Sequence, residues 1–208
     1  MRNTTLPLVV VLGLCSTAGT CLSQGVYPLY TKETRVVDAA LPGKWAQLDD
    51  KGKPDKLTAV VAQDGTDASY LVTFTAPDES FPIVFRLVET DIDGAKFVDV
   101  MREPILTARE ARDYAEWALP AHNYGRIETK GDTIKLSFLE DKAATTDALK
   151  AAGLAVLPAS VLTINGESHT RATTAFPIFT SDTATLRAAM KKLPASTFGG
   201  AITFQKKP

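Results

Sequence analysis

After Cys21 the chain contains no further cysteine, and Cys15 is the only other one. A disulfide framework needs an even set of cysteines spread through the folded part, so none is expected here. Histidine is as scarce: only His122 and His169 occur, and no HxH, HExxH or CxxC spacing of a metal site is present. Neither a metal nor a cofactor is therefore expected. Charge of one sign is not in excess either. With 23 basic and 24 acidic residues the net charge is -1, which argues against a nucleic-acid partner bound by neutralising phosphates. No apolar run reaches the roughly 18 residues of a membrane-spanning helix. What is there, 208 residues with 45% apolar and 23% charged side chains, is enough to bury a core.

The N-terminus carries the strongest message. Arg2 precedes an apolar run from Leu6 to Leu14, and small residues from Ser16 to Thr20 lead to Cys21. A basic start, a short apolar centre and a small-residue exit form the three parts of a secretory signal peptide, here residues 1–20. The stretch Ala18-Gly19-Thr20-Cys21 resembles a bacterial lipobox, with Ala18 in place of the usual Leu and Thr20 in place of Gly, Ala or Ser. Cleavage before Cys21 leaves a lone thiol for lipid attachment; simple secretion of a soluble protein is the alternative. Removing residues 1–20 takes away one arginine and no acid, which leaves a mature charge of -2. A polybasic surface is thus not the membrane attachment, and acyl chains on Cys21 would have to supply it, more than one for stable anchoring.

Residues 21–42 are polar and irregular, with Pro28 and Pro42 near the ends, and read as a lipidated tether. Residues 43–208 read as a single β-rich domain. Tyr70, Val72 and Phe74 alternate with Ser69, Thr73 and Thr75, and Ile134, Leu136 and Phe138 with Thr133, Lys135 and Ser137. That period of two marks half-buried antiparallel strands. Turn chemistry stands between them at Asp64-Gly65, Asp93-Gly94, Gly131-Asp132 and Asn165-Gly166. Strands are expected near 43–48, 57–63, 69–75, 82–89, 96–101, 123–129, 133–139 and 201–205, with others near 161–164 and 168–179. The fold class expected is mainly β (α+β): an antiparallel meander forming a curled sheet or a calycin-like barrel, with two or three short packed helices.

The first helix is expected from Thr107 to Leu119, where Thr107 and Glu110 form a capping box and Pro120 stops the run. A second, from Asp182 to Leu193, aligns Leu186, Ala189, Met190 and Leu193 on one face, with Lys191 and Lys192 in its last turn. A third, from Lys142 to Ala152, ends at Gly153.

Tyr27-Pro28-Leu29-Tyr30-Thr31, followed by Leu41-Pro42-Gly43-Lys44-Trp45, resembles the N-terminal tract of a family of uncharacterised bacterial lipoproteins. Pro120-Ala121-His122 and the helix from Ser181 to Leu193 are similar to later features of that family. The resemblance implies an envelope lipoprotein without an assigned activity and contributes no catalytic residue. Leu22 is not the Asp that favours inner-membrane retention, so the outer membrane is the expected site. Gly43-x-Trp45 also resembles the opening motif of lipocalins and other calycins, which close eight strands around an apolar ligand. That implies a ligand cup lined by residues such as Trp45, Tyr70, Phe74, Phe85 and Phe138.

Catalytic groups are sparse. His122, between a helix stop and a strand, is placed where a general base could be displayed, but no Ser or Cys elbow accompanies it, and a turn-fixing hydrogen bond is the favoured role. Ser168 and His169 are neighbours on a strand and so face opposite sides. Asp91-Ile92-Asp93-Gly94 lacks the remaining ligands of a calcium loop, and Gly199-Gly200 lacks the Lys-Ser/Thr of a phosphate cradle. Glu110, Asp113 and Glu116 mix with Arg109 and Arg112 on a solvated helix face. Three readings follow, in this order: a non-enzymatic, lipid-anchored binding or scaffold protein with an envelope protein partner; a calycin-like carrier of a small apolar ligand; and a periplasmic hydrolase using His122.

Overall fold

The structure, a computed structural model, describes residues 24–65, 67–77, 82–103, 121–139, 143–157, 161–164, 167–170 and 178–208. The signal segment, Cys21, the helix expected from Thr107 to Leu119 and the Asn165-Gly166 turn lie outside these residues.

Eight antiparallel strands close into a barrel. They are β3 (Gly43–Leu48), β4 (Pro54–Gln63), β5 (Tyr70–Thr75), β6 (Ile83–Ile92), β7 (Ala95–Glu103), β8 (His122–Lys130), β9 (Thr133–Leu139) and β14 (Phe198–Lys206). Each pairs with the next, and β14 closes the ring on β3 with Phe204 opposite Gln47 and Lys206 opposite Trp45. Closure removes the exposed edges that a curled sheet would leave. The mainly β fold expected from the alternation is thus found, in its barrel form.

Shorter elements hang on this ring. Two helices, α1 (Ala143–Ala151) and α2 (Thr183–Lys192), lie between β9 and β14. The α2 N-cap is Asp182, whose side chain accepts from the Thr185 N–H at 2.8 Å. After α1, Leu154 N–H bonds the Leu149 carbonyl and Gly153 N–H that of Lys150, with Gly153 at φ 96°. These paired bonds need a left-handed residue at that point, which glycine supplies. A hairpin of β11 (Val161–Ile164) and β12 (Glu167–Thr170) stands apart from the main sheet.

Two cores result. Inside the barrel, the inward residues of alternating strands meet, among them Trp45, Val72, Leu87, Val98, Ile127 and Phe204. A second core covers the outer face of β6 to β9, where Leu186, Ala189 and Met190 of α2 pack with Phe97, Tyr124 and Leu139. Those three α2 side chains have no exposed surface, so the apolar stripe read from the sequence finds its partner in the outside of the barrel. Burying Leu186 and Met190 is worth about 2 kcal/mol each, and the single methyl of Ala189 about 0.8 kcal/mol.

Residues 24–42 differ from the expected tether: they are packed as a strap on the barrel. Leu29 and Leu41 are buried at 0% and 2% exposure. β1 (Gln24–Gly25) pairs with β8 on one side and runs parallel to β13 (Ile178–Phe179) on the other, and β10 (Val156–Leu157) extends this flap. Further on, β2 (Arg35–Val36) pairs with Glu89 and Thr90 of β6. Because β5 reaches only Leu87 in the register, the end of β6 would otherwise be an open edge.

Candidate functional site

The strap ends by sealing one mouth of the barrel. Leu41 turns inward, and its carbonyl accepts from Trp45 Nε1 at 2.9 Å. Lys206 on the last strand lies over the Trp45 ring at 5.3 Å and donates to the Ala40 carbonyl at 2.8 Å. Gly43 is needed where these meet: its φ is 141°, and a Cβ there would come within 2.8 Å of Lys206 Cε. Gly43, Trp45 and Lys206 together therefore make the seal.

Behind the seal, the five expected lining residues share the interior core. Trp45 and Tyr70 are almost without exposed surface, and Phe85 and Phe138 are buried at 9% and 7%. Phe74 packs edge-on against Phe85 at 5.7 Å and lies tilted against Phe204 at 6.0 Å. The space left among Leu41, Trp45, Phe74, Leu136 and Phe204 is about 40 Å³. That is room for a few water molecules, whereas ligand pockets hold roughly 300–1,000 Å³. Tyr70, Phe85 and Phe138 fill the cup rather than line the cavity.

A carboxylate stands at an inward position of this interior. Glu89 follows Phe85 and Leu87 on the inner face of β6 and is fully buried. Its Oε1 lies 2.9 Å from Lys96 Nζ, which also reaches Asp38 Oδ2 at 2.8 Å. Neither Glu89 oxygen has a well-formed hydrogen bond among the described residues, so the contact with Lys96 is an ion pair. Burial pushes the Glu89 carboxyl above the usual range, whereas the hydrogen bond from Lys96 holds that of Asp38 below it. Asp38 N–H donates to the Tyr70 hydroxyl at 2.6 Å, so the cluster fastens strap to wall.

A second buried acid sits on the outer face. Asp99 Oδ1 lies 2.7 Å from His122 Nδ1, and Oδ2 accepts from the Leu29 N–H at 2.7 Å. His122 is 6% exposed and stacks on Tyr124, whose hydroxyl donates to the Tyr27 carbonyl at 2.5 Å. Burial pushes the Tyr124 phenol well above its ordinary value. His122 therefore fixes the start of β8, and its hydrogen-bond partner is the carboxylate of Asp99 that also holds the strap. His169 lies on β12, opposite Leu162. Asp91 closes the β6–β7 hairpin by accepting from Gly94 N–H at 2.8 Å.

Sequence reasoning missed Glu89 and Asp99. Glu89 had a signal: it continues the inward alternation Phe85, Leu87. Asp99 had none, since an acid on an outward position reads as solvated until a strap covers it.

Comparison with protein families, with characterised proteins and with solved structures finds no match to this chain.

Proposed function

We propose that the protein is exported and anchored by lipid on Cys21 to the periplasmic side of a bacterial envelope membrane, the outer membrane by preference. There its barrel serves as a non-enzymatic binding or scaffold module for an envelope partner. The observation that carries this reading is the order of Arg2, the apolar run to Leu14, the small residues and Cys21, with no later cysteine to compete for modification. The filled barrel supports it further, because an interior closed by its own side chains leaves the outer surface for recognition. Buried beneath the strap, His122 serves the fold rather than a substrate. Detergent-phase partitioning tests the anchor: the full-length protein made in a bacterial host enters the detergent phase, and Cys21→Ser returns it to the aqueous phase. Aqueous partitioning of the unaltered chain overturns the proposal.

The apolar cavity against Trp45 and Phe74 favours a second reading, carriage of a small apolar ligand in the manner of calycins. An occupant larger than a few heavy atoms must displace Leu41, among the described residues the one lining residue contributed from outside the strands. Native mass spectrometry of the protein from its source membrane tests this reading through the presence or absence of a co-purified ligand.

A further inference from the structure

We propose that the flap formed by β10, β13 and β1, with the start of β8, is the surface that lies against a lipid bilayer. The inference rests on acylation of Cys21. Only Leu22 and Ser23 separate Cys21 from Gln24, and three residue steps span at most about 11 Å whatever their conformation. Gln24 cannot swing outward to lengthen that reach. It is paired with Asn123 on one side and Ile178 on the other. The residues that follow are held by hydrogen bonds to their backbone: Tyr124 to the Tyr27 carbonyl, Thr183 to that of Pro28, and Asp99 and Arg187 to the N–H and carbonyl of Leu29. Gly25 adds a steric lock, since a Cβ there would fall 2.7 Å from Tyr124 Cζ.

Acyl chains seated in the bilayer therefore hold the flap at the headgroups. A mobile tether of residues 21–42 would instead let the body tumble. Tyr27, 46% exposed and just beyond β1, suits this position, because tyrosine rings favour the membrane–water interface. The ring of strands then sets the orientation. Starting from β8, β4 lies halfway round the barrel in either direction. Val60, 47% exposed on β4, is thus on the wall away from the lipid. Ala155, exposed and hydrogen-bonded to Thr180 beside β13, is on the near side.

The test uses the full-length protein, acylated in a bacterial host and transferred to phosphatidylcholine nanodiscs that carry a headgroup nitroxide. With Cys21 blocked by its lipid, the thiol of Ala155→Cys or Val60→Cys is the single labelling site for a fluorophore. The proposal predicts quenching several-fold stronger at 155 than at 60. It also predicts that a Gly/Ser insertion of about 20 residues between Ser23 and Gln24, roughly 25 Å of coil, abolishes the difference. Equal quenching without the insertion, or stronger quenching at 60, on protein whose intact mass shows the lipid, overturns the orientation and leaves the anchor standing. An intact mass without lipid overturns both.

Discussion

The backbone N–H of Leu29 donates to the buried carboxylate of Asp99 at 2.7 Å, across 70 residues of sequence. Through this bond a polar-looking N-terminal stretch becomes part of the fold, because Asp99 also holds His122 and neither group faces water. Asp99→Ala removes the acceptor for both. It should cost about 3 kcal/mol, the penalty of orphaning two buried polar groups, read from urea denaturation of the mature chain. Asp99→Asn keeps the shape and one acceptor and should cost less.

Arg187 binds the strap from the other side. Its guanidinium donates to the Leu29 carbonyl at 3.1 Å, to Thr90 Oγ1 at 2.9 Å and to the Asp91 carbonyl at 2.6 Å. Arg187→Ala should speed amide hydrogen exchange at Gly25 and Leu29 by at least about tenfold, the effect of a loss of about 1.4 kcal/mol in local stability, while the amides of β5 stay protected. A free tether would show no protection at these amides even before the substitution.

Lys96 joins two carboxylates whose titrations oppose each other. Glu89 is raised by burial, so the folded chain holds its proton more tightly than the unfolded chain, and the stability tied to it grows as pH falls. Asp38 is lowered by Lys96, so its contribution is present above the ordinary carboxylate range and is lost as pH drops through the lowered value. Lys96→Met leaves both acids unpaired. Because the lysine is 40% exposed, the cost at neutral pH should be about 2 kcal/mol, below that of breaking a fully buried pair. Thermal melts of the variant and the unaltered protein should converge on acidification, as Glu89 in the variant takes up its proton.

Phe204 fills the interior between Trp45 and Phe74. Phe204→Ala should destabilise the barrel by about 4 kcal/mol and open a dry cavity beside the existing one. Benzene should then raise the melting temperature of the variant and leave that of the unaltered protein unchanged. An equal rise in both would mean that the native interior is roomier than its 40 Å³ cavity indicates.

Legibility in the sequence followed the range of the interactions. Thr133 to Leu139 alternates strictly and is a strand over the expected residues, and Leu186, Ala189 and Met190 form the buried stripe expected of their helix. Local patterns carry such elements. A barrel is one of the two forms expected, but the pairing of β14 with β3 that decides for it has no local signal, because the two strands lie at opposite ends of the domain. The strap lacks a local signal for the same reason: Pro28, Leu29 and Thr34 satisfy their backbone through Thr183, Arg187 and Thr90, far along the chain. Among site residues, alternation places Tyr70 and Phe74 inside, and the Gly43-x-Trp45 resemblance does so for Trp45. Whether they surround a ligand or each other depends on how closely Phe85, Phe138 and Phe204 approach, which no spacing in the sequence records.

Cys21 is the point at which the chain would meet a membrane. Intact-mass spectrometry of the protein extracted from its native membrane fraction, beside a Cys21→Ser variant, tests this most directly. The account predicts a chain that begins at Cys21 and carries two or three acyl groups, with the adduct lost in the variant. An unmodified chain that begins elsewhere would contradict it and bring the soluble carrier to the front.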